Sequence, residues 1–299
     1  MATAPRQILP GKVYLSTRRC SERRFFLKAT RKAKQIFLYA LAVYAQRHRI
    51  QIHAFCVLSN HYHLALTDPY GRLPDFKRDF HSVLARASNA YLGRWDAFWE
   101  RTSYSAVELG TDAAVHEKLV YLLANPVAAG LVRHARDWPG LWSDPHRMGG
   151  EPYTIERPKR FFDEDGDMPA VAQLQLTPPP GLEGDPAFVD RVMESLRQAE
   201  ELAAEKLEEE GRNFLGVASV LAQNPFSGPA SGEPRRQLSP RVACRNKWKR
   251  VEALQRLEEF ARAYKEALAA WRNGVRDALF PRGTWHMRVL HSVCCVGST

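Results

Sequence analysis

Ile50 to Val57 (IQIHAFCV) and His61 to Thr67 (HYHLALT) are two runs rich in apolar, β-branched and aromatic residues, separated by Leu58-Ser59-Asn60. Runs of this length around a short polar turn predict two antiparallel strands joined as a hairpin. Upstream, after Pro10-Gly11, Lys12 to Thr17 predicts another strand, and Thr30 to His48 sets Ile36, Leu38, Tyr39, Leu41, Ala42 and Tyr44 largely at helical spacing. Downstream, Pro69-Tyr70-Gly71 closes the hairpin, and Leu73 to Leu92 resumes a helical period through Phe76, Phe80, Val83, Leu84 and Ala87. Ala97 to Leu109 predicts an extended segment. Thr111-Asp112 offers a cap to a helix over 113–124, which Asn125-Pro126 should end, because the residue before proline is pushed out of the α region. The order β, α, β, β, α, β, α predicts an α+β fold of the ferredoxin-like kind, a mainly antiparallel sheet with helices packed on it.

That unit is expected to end near Gly150. Glu151 to Gly184 holds Asp163-Glu164-Asp165, Asp167 and Pro178-Pro179-Pro180, the composition of an acidic, Pro-rich linker. Residues 185–299 predict a mainly α-helical region: helices over about 185–210, 211–221 and 251–278, with a Pro/Gly/Ser loop from Asn224 to Pro234. In the longest of these, Leu254, Leu257, Phe260, Ala261, Tyr264, Leu268 and Trp271 form an apolar stripe that is expected to be core.

The chain has 299 residues, 45% hydrophobic and 25% charged, which is a globular composition and excludes wholesale disorder or a fibre. No run approaches the ~18 consecutive apolar residues of a membrane span, and Met1 to Gln7 lacks the apolar core of a secretory signal. A cytoplasmic protein with no membrane partner is expected. The net charge of +10 is unevenly spread: residues 1–150 carry 22 Lys and Arg against 11 Asp and Glu, 151–210 carry 6 against 16, and 211–299 carry 15 against 6. The first 50 residues hold twelve basic side chains, Arg18, Arg19, Arg23 and Arg24 among them, and one acid, Glu22. A second run holds Arg235, Arg236, Arg241, Arg245, Lys247, Lys249 and Arg250 beside Trp248. Such clusters attract a phosphate backbone without reading its sequence; the competing reading of each is a solvated basic face.

Two elements carry chemistry. His61 and His63 are two apart on a predicted strand, so their imidazoles point to one face and can give two ligands to one divalent metal; Tyr62 points to the other face. Tyr121 and Asn125 are four apart near a helix end, so a phenol and an amide project together. Tyrosine attack on a DNA phosphodiester gives a phosphotyrosine that preserves the bond for rejoining. Each element also has a plain reading, the histidines as structural and Tyr121 as an aromatic packing with Leu119, Leu122 and Leu123. His53 reads as a buried hydrogen-bonded histidine or as an outer partner of a metal ligand. Trp95, Phe98 and Trp99 read as core or as stacking surfaces for unpaired bases.

Taken together and in order, Ile52 to Leu64 (IHAFCVLSNHYHL), Phe98-Trp99-Glu100-Arg101 and Tyr121 to Val132 (YLLANPVAAGLV) resemble the REP-associated tyrosine transposases and their insertion-sequence-200-like relatives. These are single-tyrosine members of the HUH endonucleases (His, a hydrophobic residue, His), and the resemblance covers about residues 8–145. It implies the HUH fold and a transposase that nicks and rejoins single-stranded DNA next to hairpins through a 5′-phosphotyrosine. His61, His63 and Asn125 then match the ligands of a divalent metal, Mg2+ or Mn2+, Tyr121 matches the nucleophile, and Arg101 belongs to an aromatic-basic element that contacts DNA. Arg18, Arg19, Arg23, Arg24, Arg245, Lys247 and Lys249 are the further candidate DNA contacts, the last three making 185–299 an accessory DNA-binding region. The implied partner is single-stranded or hairpin DNA, bound by a monomer or homodimer. Two alternatives stand beside it: a catalytically idle DNA-binding protein of the same fold, and an HUH replication initiator or relaxase. The chain departs from the family at Val13-Tyr14-Leu15, where a His often stands, and at Tyr62, usually aliphatic.

Overall fold

Asp68 shows how local chemistry sets the frame: its carboxylate accepts the backbone N–H groups of Arg72 and Leu73, both at 2.8 Å, ending a strand and capping the next helix at once. Thr30 and Thr111 do the same for two other helices, each hydroxyl accepting an N–H three residues on. The computed structural model describes residues 5–101, 104–229 and 240–297. Its first half runs β1 (Lys12–Arg19), α1 (Arg31–His48), β2 (Gln51–Val57), β3 (His61–Asp68), α2 (Leu73–Leu92), β4 (Ser105–Leu109), α3 (Asp112–Ala128) and β5 (Leu141–Trp142).

The sheet order is β5-β2-β3-β1-β4, all antiparallel, which is the split βαβ arrangement of a ferredoxin-like fold. Helices cover both faces, so β3 is almost wholly buried, its polar His63, Thr67 and Asp68 included. On one face α1 and α2 meet Tyr62, whose ring lies 5.6 Å from Phe37 and 5.9 Å from Phe80. The other face receives α3. Across β1 and β3 the register sets Thr17 opposite His63, Arg18 opposite Tyr62 and Arg19 opposite His61.

Three sequence expectations are corrected. The tyrosine helix does not stop at Asn125: α3 runs through Pro126 to Ala128. Asn125, Pro126 and Val127 are all buried there, and this packing outweighs the local bias of the pre-proline residue. The indole N–H of Trp142 donates to the Leu123 carbonyl at 3.0 Å, beside the carbonyl that the proline leaves without its helical donor.

Residues 151–184 are not a linker. They contain a hairpin, β6 (Tyr153–Glu156) with β7 (Val171–Leu174), whose inward residues Ile155, Ala172 and Leu174 are buried in the main core against α1. The acidic run Asp163 to Asp167 is the hairpin's loop, tied down where the Arg157 guanidinium donates to the Met168 and Glu164 carbonyls at 2.8 and 3.1 Å.

Nor is 185–299 one separate helical region. α4 (Phe188–Glu209) packs on α3 through Phe188, Val192 and Leu196, and the short α5 (Val217–Ala222) follows. β8 (Val242–Ala243) then adds to the edge of the sheet, parallel to β4. Only α6 (Lys247–Arg272) and α7 (His286–His291) build a small core of their own, around Phe280, Met287 and Val293. Of the expected α6 stripe, Phe260 is buried while Leu254 is exposed. Arg235 and Arg236 lie outside the described residues. Among the described residues no helix is long and apolar enough to cross a membrane.

Candidate active site

The alternation of β3 and its register with β1 decide which side chains meet. His61 and His63 share one face, their ring centroids 5.0 Å apart and their planes nearly perpendicular. His63 Nδ1 lies 2.8 Å from the hydroxyl of Thr17, directly across on β1. Its Nε2 is buried and has no hydrogen-bond partner among the described residues. His61 Nδ1 lies 2.6 Å from Oδ1 of Asn60, in the hairpin turn. An amide oxygen only accepts, so that nitrogen carries the proton and Nε2 of His61 keeps its lone pair.

Both imidazoles are held neutral. Burial brings His61 down to about 4, helped by the charges of Arg19 and Arg23. His63 lies well below the ordinary imidazole value, through burial first and then through His61 and Arg19.

α3 completes the site. Its Leu119, Leu122 and Leu123 are fully buried, so the helix docks by those residues and turns Tyr121 away from the core, 48% exposed. The Tyr121 ring stands edge-on to His63 with centroids 5.6 Å apart. The plain reading of Tyr121 as a packing aromatic therefore fails. Asn125 lies one turn further on the same helix face and is buried. The ammonium of Lys118 is 5.7 Å from the Tyr121 ring centroid and pairs with Glu117.

Among the described residues no group of three or more His, Cys, Asp or Glu gathers. The donors that the contacts bring together are the two imidazoles, with the Asn125 amide one turn beyond Tyr121 on α3, and the orphaned Nε2 of His63 is what a metal-ligating nitrogen looks like when its outer partner is already in place.

The expected DNA contacts divide. Arg19 is exposed on the histidine face, and Arg23 follows in a turn where it and Glu22 adopt left-handed φ values of 56° and 52°. Arg24 is held by Glu22 and by the Phe226 carbonyl, and with Arg94 and Arg101 it lines a surface cleft that also holds Asp96 and Glu100. Arg245 pairs with Glu117 at 2.7 Å, one turn before Tyr121. Lys247 and Lys249 are exposed in the first turn of α6. Arg18 alone points to the opposite face, against His81 and Trp99.

Thr17 and Asn60, which fix the two rings, were missed in the sequence. Pairing the strand of His61 and His63 with β1 was the signal that could have found Thr17. Tyr62 is buried on the far face as expected, its hydroxyl bonded to His81. His53 is the buried, hydrogen-bonded histidine of the two readings, bulged out of β2 between Nδ1 to the Thr177 carbonyl and Nε2 to the Thr67 hydroxyl. Phe98 and Trp99 are core, and Trp95 is 91% exposed.

No family model and no curated protein matches the chain. Among solved structures, it is similar over 50% of its length to 86% of a REP-associated tyrosine transposase bound to a REP hairpin, with 20% identity and a TM-score of 0.42. Over 40% of its length it is similar to 95% of a candidate transposase from Deinococcus radiodurans R1, with 17% identity and a TM-score of 0.29.

Proposed function

We propose that the protein is a metal-dependent transposase of the REP-associated, single-tyrosine HUH kind, which nicks and rejoins single-stranded DNA next to hairpins. The observation that carries the reading is a buried histidine nitrogen without a partner, on the ring that abuts a half-exposed tyrosine.

In this reading Tyr121 Oη attacks the scissile phosphorus in line. The new bond is P–Oη, the broken bond is P–O3′, and the 3′ oxygen leaves as a hydroxyl after taking a proton. The phenol proton leaves toward solvent, to which Tyr121 is open. A later 3′-hydroxyl reverses the exchange, since the phosphotyrosyl bond keeps the energy of the bond it replaced. A divalent ion held by His61, His63 and Asn125 would polarise the phosphate and offset the charge that gathers on its oxygens. Imidazole donors suit Mn2+ better than the oxygen-seeking Mg2+. Thr17 and Asn60 keep the two rings aimed, and Lys118, Arg19 and Arg23 add positive charge around the phosphate path. Arg101, Lys247 and Lys249 supply strand contacts that position rather than specify.

The test is incubation of the full chain with labelled single-stranded hairpin pools and Mn2+. A protein–DNA species that survives SDS, disappears with protease and leaves a free 3′-hydroxyl is expected, and EDTA should prevent it. Binding with no covalent species would instead identify a catalytically idle DNA-binding protein of the same fold.

A further inference from the structure

On the far side of the sheet from His61 and His63, a cavity of about 1370 Å3 opens between α2 and the α6–α7 pair. It exceeds the roughly 300–1,000 Å3 of an ordinary small-molecule cleft. Its walls bring Arg6, Arg18, Lys77 and Lys265 together and, among the described residues, contribute no Asp or Glu. Lys77 is fully buried, and among the described residues its Nζ finds only the Tyr62 hydroxyl at 3.5 Å, amid the rings of Phe76, Tyr62 and Tyr104. Arg18 meets a neutral acceptor, Nδ1 of His81 at 2.6 Å, and its Nε is buried with no partner. Arg6 donates to the Tyr104 carbonyl and lies 4.3 Å above that ring.

The charges do not cancel. Arg78, also on the wall, has Asp75 and Asp79, but the charged groups that act on Lys77 are Arg18 and Arg6, of the same sign. Asp68, the carboxylate felt by Tyr104, is already taken by backbone N–H groups. Burial first, and then same-sign neighbours, push Lys77 and His81 well below their ordinary values. A buried amine without a counter-ion is costly in either protonation state, and stability alone would favour an apolar residue. Tyr104, Tyr264 and Trp285 on the wall add ring faces. Cations and rings around one space are what a nucleotide requires: a phosphate for the charges and a base for the rings.

We propose that this cavity binds phosphorylated nucleotide units, with Arg6, Arg18 and Lys77 on the phosphate and the aromatic wall on the base. The volume favours a short stretch of single strand over one free nucleotide. The choice of a deoxyribose strand rests on the proposed function; the preference for phosphate rests on the cavity's own residues.

The experiment uses the full chain carrying Tyr121→Phe, so that no adduct forms, titrated with fluorescein-labelled random hexadeoxynucleotides and read by anisotropy. Lys77→Met and Arg6→Gln, each added to that parent, should weaken binding about fivefold or more. Lys77→Met should at the same time raise the thermal midpoint, because it removes a buried amine that lacks a counter-ion and keeps the side chain's volume. Binding within twofold of the parent in both variants overturns the proposal, and if Lys77→Met does not fold, Arg6→Gln decides alone. Displacement by millimolar deoxynucleoside monophosphates assigns the cavity to free nucleotides, and its absence assigns it to a strand. A wild-type chain that forms no adduct, with hexamer binding still lost in Lys77→Met, would sink the tyrosine chemistry while leaving the cavity's role standing.

Discussion

His53 and His63 are both buried, both neutral, and each gives one ring nitrogen to a threonine hydroxyl at 2.8 Å. His53, at the closed end of the β2–β3 pair, has its second nitrogen on the Thr177 carbonyl. His63, at the open end, has nothing on its second nitrogen although that atom is equally shut off from water. Burial and depressed basicity, which the two share, therefore do not distinguish a structural histidine from a functional one. What sets His63 apart is an unfilled position on a ring that abuts the half-exposed Tyr121.

The strongest way to break this comparison is at the tyrosine beside the open end. Tyr121→Phe should abolish the covalent protein–DNA species, by about 1,000-fold or more, while circular dichroism and DNA affinity stay unchanged. His53→Gln should leave that species intact. An adduct that persists in Tyr121→Phe would reassign the nucleophile.

The closed end should respond to acid instead. Burial holds His53 down to about 4, against 6.5 in the unfolded chain, so between those values the unfolded chain takes up a proton that the folded one refuses. Its contribution is complete above pH 6.5 and is lost as pH falls toward 4. Over that window wild type should lose about 3 kcal/mol more than His53→Gln, measured by urea unfolding at each pH. Equal losses would mean that His53 is protonated within the fold.

Thr17→Val sharpens the contrast from the open side. It keeps the side chain's shape but removes the partner of His63 Nδ1. Mn2+ affinity should fall about 10- to 100-fold, followed by the metal dependence of cleavage or by calorimetry. Unchanged affinity would show that the ring needs no orienting partner. The smallest effect belongs to the exposed ion pair near Tyr121: Arg245→Ala should cost about 0.2–1 kcal/mol in unfolding experiments and less as salt rises. A larger loss would mean that the pair clamps the helix.

The ferredoxin-like sheet was legible because its segments carry their own periods: Phe76, Phe80 and Leu84 recur at helical spacing, and the hairpin is marked by Leu58 to Asn60. The histidine pair and Tyr121 with Asn125 were legible because spacing of two on a strand and four on a helix fixes a shared face. What stayed hidden depends on tertiary contacts. Asn125 remains helical because Pro126 and Val127 are buried, which a local rule cannot know. The hairpin of residues 153–174 hides behind the acidic loop between its strands. Arg18 resembles its neighbour Arg19 in sequence, yet one residue's difference along β1 sends it through to the other face.

The tyrosine helix is held from the side of the chain that comes later. α4 covers its flank, with Ser195 bonded to His116. Leu215 and Gly216 donate their N–H groups to the carbonyls of Gly130 and Leu131 just past its end, and Arg245 reaches Glu117. During synthesis all of these arrive after both histidines and the tyrosine have left the ribosome. The helix bearing Tyr121 thus takes these supports from residues 195 to 245, far along the chain from its own. A fragment ending before residue 195 would hold His61, His63 and Tyr121 but none of these contacts.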